Sequence, residues 1–182
     1  MHPKQQFYLL AGLGNPGSEY EMTRHNLGYL VVQAFARRMG WHFKNDRRFN
    51  ALVAKGIIGE ASVHLMQPLT YMNLSGIAIK RYLDFYKWPN SYLTVVTDDV
   101  ALPFGKLRFR AMGSSGGHNG LKSVEAYLGT SHYSRLRMGV GHPGEKELAG
   151  YVLESFSPDE LTGLETFIGH GIEILELQVL NR

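Results

Sequence analysis

Two short runs constrain this chain most: FYLLAG at 7–12 and SYLTVVTDD at 91–99. The first reads as a buried strand, the second as an apolar strand that ends in two carboxylates. Segments with helical spacing lie between and after them. NLGYLVVQAFARRMG sets Leu27, Leu30, Val31, Ala34 and Phe35 on one face and stops at Gly40. Ser75 is expected to cap a helix along Ile79, Leu83 and Tyr86, halted by Pro89. HNGLKSVEAYLG packs through Leu121, Val124 and Leu128 and closes at Gly129. Ser157, Pro158 and Glu160 spell a capping box for a last helix along Leu161, Leu164, Ile168, Ile172 and Leu175. FNALVAKGII and ASVHLMQP read as a β pair turning near Gly59 and Glu60. KLRFRAM reads as a half-buried strand with a basic outer face, and RLRMGVG as a further strand. Strands alternating with helices, plus a hairpin, predict an α/β fold: a twisted mixed sheet covered by helices, in a single domain over 1–182. The order of the strands is not legible.

Composition removes several classes. With 182 residues, 44% of them hydrophobic, the chain can bury a real core. No stretch approaches the ~18 apolar residues of a membrane span. The start, MHPKQQ, lacks the apolar core of a signal peptide, so a cytoplasmic location is expected. There are no cysteines, which excludes disulfides, thiolate catalysis and Cys-ligated zinc. The net charge of +3 is unevenly spread. Residues 104–146 carry seven Lys and Arg against two acidic residues, whereas 147–182 carry one against seven. The basic block suits either a solvated surface or a polyanionic partner.

Two motifs tempt and fail. Gly12–Gly17, GLGNPG, has the G-x-G-x-x-G letters of a dinucleotide turn. That use needs a helix to open at the glycines, but Asn15-Pro16-Gly17 is a turn signal followed by polar SEYEMTRH. The acidic residue expected ~20 positions later for a ribose falls in basic AFARRMG. Gly113–Gly117, GSSGG, puts Ser115 in a nucleophile slot between a strand and a helix. The strand feeding it is basic and amphipathic, and the available partners Asp159 and His170 share the last helix. A flexible Gly/Ser turn accounts for it better. The eight histidines show no tight metal-ligand spacing, and no metal or cofactor is expected.

Amides and imidazoles at the ends of expected strands and helices remain: Asn15, His25, Asn73, Asp98, His118 and Asn119. Singly, each has a local explanation as a turn, cap or solvated residue. Jointly they occupy the loops of one α/β scaffold, where sites are built. The segments GLGNPGSEYEMTRHN, PLTYMNLSG, TDDVALPFGKLRFR, GSSGGHNGLKSVEAYLG and RLRMGVGHPG, in this order, closely resemble bacterial-type peptidyl-tRNA hydrolase. The resemblance runs from Tyr8 to about Leu153 and implies cleavage of the ester between a peptide and the 3′ ribose of tRNA. It implies His25 as general base, Asp98 as its orienting acid and Asn73 as a catalytic amide. Substrate positioning falls to Asn15, Asn73 and Asn119, with Tyr20 and Met72 on the peptide side and His118 as a second contact. The tRNA side falls to Lys106, Arg108, Arg110, Lys122 and Arg137, with Arg110 and Arg137 at positions that clamp the 5′ phosphate.

The resemblance also implies a monomer without cofactor or obligate protein partner. Thr97 and Ala101 stand where the family carries polar groups, which alters the surroundings of Asp98. Little basic tail follows the last helix before Arg182. Two other readings stay open: an inactive RNA-binding relative with the same basic face, and a serine esterase using Ser115.

Overall fold

The first apolar run becomes β1 (Phe7–Gly12), inside a seven-stranded sheet of the computed structural model, which describes residues 6–181. Then follow α1 (Leu27–Met39), β2 (Lys44–Asp46), β3 (Ala51–Ile58), β4 (Ala61–Pro68) and α2 (Ser75–Tyr86). The second half comprises β5 (Leu93–Asp99), β6 (Leu107–Arg110), α3 (Asn119–Leu128), β7 (Ser134–Gly139), α4 (Leu148–Leu153) and α5 (Pro158–Leu180). The strand order is β2-β3-β4-β1-β5-β7-β6. β4, β1, β5 and β7 run parallel, while β3 and β6 pair antiparallel to their neighbours. Residues 1–5 of the start read as lacking a signal peptide, and Arg182, lie outside the described residues.

The absence of alternation in β1 has a direct cause. Leu10 packs with Val63, Leu65, Leu136 and Met138 under α1 and α5, whereas its neighbour Leu9 packs with Met66, Leu93 and Val95 under α2 and α3. Both faces of the central strands are dry, so both sets of side chains are apolar. β6 does alternate: Leu107 and Phe109 pack against the first cluster while Arg108 and Arg110 are exposed. None of the described helices is long and apolar enough to cross a membrane.

The glycines after β1 serve close packing. A Cβ on Gly28 would lie 2.4 Å from the Leu13 nitrogen and the Val96 oxygen, and one on Gly14 would strike the Tyr29 ring. α1 can therefore press its first turn directly onto β1 and β5. It starts only at Leu27, so the glycines do not open a helix, and the dinucleotide reading fails on geometry.

One local expectation needs correction, and two short elements are additions. Ser75 is not a cap; it is the first residue of α2, and its hydroxyl donates to the Met72 carbonyl at 2.9 Å. That helix ends at Lys87 in the left-handed region (φ 55°), two residues before Pro89. β2 and α4 were not foreseen, because a three-residue polar strand and a six-residue helix carry no period to read. The Ser157–Glu160 capping box forms as expected.

Chain connections set where a crevice opens. From β1 the chain proceeds toward β4, and from β5 toward β7 on the other side. Between two parallel strands whose connections diverge, the carboxyl ends leave a gap, the usual ligand site of open α/β sheets. The β1 end leads into Asn15, and the β5 end carries Asp98.

Candidate active site

His25 reaches this crevice on a short helical turn, Arg24–Asn26, whose approach is fixed on both sides. Thr23 bridges to Ser155, the Arg24 amide donates to the Glu154 carbonyl, and the Phe156 amide donates to the Met22 carbonyl. The Arg24 guanidinium grips Glu160 with two donors at 3.0 and 2.8 Å, meets Glu154 at 3.4 Å and lies over the Tyr151 ring. His25 Nδ1 then stands 3.0 and 3.1 Å from the two carboxylate oxygens of Asp98. Only 1% of Asp98 is exposed. With Nδ1–H donating to the carboxylate, Nε2 is the ring nitrogen left to accept a proton.

The same Asp98 oxygen receives a second imidazole. His118 Nε2 lies 2.9 Å from Asp98 Oδ1 and 2.6 Å from Thr97 Oγ1. His118 Nδ1 accepts from the Gly120 and Leu121 amides, capping α3. An acceptor nitrogen carries no proton, so the ring proton sits on Nε2 and is shared between Asp98 and Thr97. The expected cap and the expected site residue are thus one residue. Its two nitrogens are both engaged, which favours a positioning role over the direct substrate contact expected from the resemblance.

Burial opposes ionisation of Asp98, but the two imidazoles and their hydrogen bonds hold its carboxyl well below the usual carboxylate range. Burial also pulls down the pKa of His25; the Asp98 charge and hydrogen bond outweigh it, so the net shift is upward. His25, Asp98 and His118 offer ligand atoms within 4.8 Å of one another. The contacting pairs are 2.9–3.1 Å apart, however, and ligands of one tetrahedral zinc stand roughly 3.3 Å apart. The spacing is that of shared protons.

Five expected residues line one cavity of about 340 Å³: Asn15, His25, Met72, Asn73 and Asn119. A neighbouring cavity of about 330 Å³ is lined by His25, Asp98, His118, Asn119 and Arg137. Ala149 and Val152 of α4 wall both. Asn15 is held by its own backbone: its amide and carbonyl pair with the Asn26 side chain at 2.8 and 3.0 Å. The Asn15 Oδ1 accepts from the Met72 amide at 2.8 Å. The side chain is thereby fixed with its oxygen used and its NH₂ available as a donor. Asn73 and Asn119 are exposed on the cavity walls. Tyr20 lines neither cavity; its carbonyl accepts from Thr23 instead.

Lys106, Arg108, Arg110 and Lys122 are exposed. Arg137 is registered opposite Arg108, but its head donates to the Ser114 carbonyl and reaches Asp99 at 3.4 Å. Arg135, also on that face, is fully buried among the carbonyls of Ser114, Ser131 and Tyr133 and beside Glu125. The esterase reading loses its partners, since Asp159 and His170 are exposed on α5 and Ser115 lines neither cavity.

Sequence reasoning missed Arg24, Asn26 and the α4 wall. Adjacency to His25 in TRHN was the available signal for the first two; nothing in LAGYVL marks a wall.

A family model described as peptidyl-tRNA hydrolase matches residues 9–182. A Bacillus subtilis protein named peptidyl-tRNA hydrolase is 43% identical over 170 residues, covering 92% of this chain and 89% of its own. One of the same name from Leuconostoc mesenteroides is 45% identical, covering 90% of this chain and 88% of its own. The solved peptidyl-tRNA hydrolase of Acinetobacter baumannii superimposes with a TM-score of 0.90 at 36% identity, over 96% of this chain and 89% of that one.

Proposed function

The chain belongs to the peptidyl-tRNA hydrolase family, and from that premise we propose how its cleft hydrolyses the ester between a peptide and the 3′ ribose of tRNA. His25 Nε2 takes a proton from water, and the resulting hydroxide attacks the ester carbonyl. Asp98 holds the imidazole through Nδ1–H and stabilises its charged form as the proton arrives. The NH₂ groups of Asn15, Asn73 and Asn119 bind the peptide carbonyls and the oxyanion that develops. Met72 lines the peptide side, and His118 holds Asp98 in place. The tetrahedral intermediate collapses by expelling the ribose oxygen, which recovers the proton from His25. Free tRNA and peptide leave.

The observation that carries this reading is the His25–Asp98 pair, 3.0 Å apart, on the floor of a cleft walled by neutral amides. Such amides donate without titrating, which suits an acyl transfer to water at neutral pH.

On the nucleic-acid side, Lys106, Arg108, Arg110 and Lys122 meet the phosphates, with Arg137 between that face and the cleft floor. The enzyme acts as a cytoplasmic monomer. The test is release of free tRNA from an N-blocked aminoacyl-tRNA by wild type and His25→Ala. General-base help is typically worth ~10²–10⁴ in rate, and the variant should lose about that much while remaining folded, with some stability lost because Asp98 loses a partner. Wild-type turnover by folded His25→Ala overturns the assignment.

A further inference from the structure

Behind the catalytic loop lies another cavity, about 490 Å³, within the roughly 300–1,000 Å³ usual for small-ligand sites. It sits against the start of α1, between the loop at 15–22 and the ends of β3 and β4. Asn15 is common to this cavity and the catalytic cleft. One stretch of chain runs along both: Gln67 and Leu69 line the cavity, and Tyr71, Met72 and Asn73 line the cleft. Gln67 is 2% exposed, and no hydrogen bond from another described residue reaches its side-chain amide. It is registered opposite Leu52 across the β3–β4 pair, and both line the cavity. The Gln67 amide is not among the described buried groups that lack a partner, so it meets the solvent of the cavity, where a ligand's peptide unit can replace water.

The lining says what. Met22, Leu30, Leu52 and Leu69 are apolar, Gln33 and Gln67 are neutral amides, and the charged residue among the lining is Glu21. A wall without cations and with one carboxylate disfavours phosphate. A primary amide offers donor and acceptor together, the complement of a peptide unit's C=O and N–H.

We propose that this cavity is the subsite for the residues of the peptide that precede the esterified one, with Gln67 pairing to their backbone. The proposal rests on the peptidyl-tRNA reading above. Asn15 then separates the segment being cleaved from the segment being measured.

The test compares an N-acetylaminoacyl-tRNA with an N-acetyltripeptidyl-tRNA ending in the same residue. Wild type should favour the longer substrate in kcat/KM. Gln67→Met keeps the length of the side chain and removes the amide, and Leu52→Trp fills the space. Each should cut kcat/KM for the tripeptidyl substrate by roughly three- to tenfold, with the short substrate changed less than about twofold. Equal losses on both substrates, or no loss on the long one, overturn the subsite. Failure of wild type to cleave either substrate would instead bring down the parent reading. Should both variants misfold, the wild-type protein decides. The Gln67 side-chain amide resonances should move on addition of an N-acetyltripeptide and stay fixed with an N-acetylamino acid; no movement at saturating tripeptide overturns the proposal.

Discussion

At Asp98 a single carboxylate oxygen accepts from two imidazoles, and under the proposed mechanism this sharing sets the pH response. As the proposed base, His25 can act only when unprotonated, and its pKa is raised by Asp98 against the pull of burial. The acid limb of kcat/KM should therefore lie above the ordinary imidazole value of ~6.5. In Asp98→Asn the raising charge is gone and burial remains, so the limb should move to lower pH while kcat falls. A pH–rate profile with an unmoved limb would show that another group titrates there. His118 permits a finer separation, because it caps α3 with Nδ1 and holds Asp98 with Nε2. His118→Asn retains a good cap but loses the donor to Asp98, so kcat should drop with a smaller loss of stability than in His118→Ala. His118→Ala should lose both, with about 1 kcal/mol of stability lost for the cap, measured by urea unfolding.

Among the elements, the proposed active centre depends on how tightly α1 meets β1 and β5. Gly28→Ala sets a methyl 2.4 Å from two backbone atoms that have no room to move, so it should destabilise by about 3 kcal/mol or more, or prevent folding. A second joint is the Arg24–Glu160 fork, which ties the turn bearing His25 to the first turn of α5. Burial pushes the Glu160 carboxyl up, but Arg24 and the Ser157 amide outweigh it and the net shift is downward. A lowered carboxyl stabilises the fold above its ordinary pKa and loses that contribution as pH falls through the lowered one. Arg24→Ala should cost about 3 kcal/mol near neutrality and shrink this acid-dependent part, both read from denaturant midpoints against pH. These joints mark the border of what the sequence reveals. Asn15, His25, Asn73 and Asn119 lie in motifs at strand and helix ends, but their joint site, with Met72, was legible chiefly through the family resemblance those motifs carry. Arg24's partners at 151, 154 and 160 are distant in sequence and follow no period, so no local pattern could pair them. Nor does alternation in RLRM distinguish buried Arg135 from the more accessible Arg137.

For the whole molecule, charge is segregated: the basic residues of 104–146 include an exposed set on β6 and α3, while the acidic excess lies in 147–182. Substrate capture through phosphates should weaken with salt chiefly through KM. Arg110→Ala should reduce the slope of log KM against log salt by about one, with kcat little changed. An unaltered slope would remove Arg110 from the phosphate contacts. The arginines of β6 have another consequence, because that strand is the last of the sheet. Its outer backbone is a template onto which a second copy could add a strand, and clustered like charges on a short edge keep copies apart. Stripping several of them at once would therefore invite self-association, and a loss of turnover that grows with enzyme concentration would report clumping instead of a missing phosphate grip.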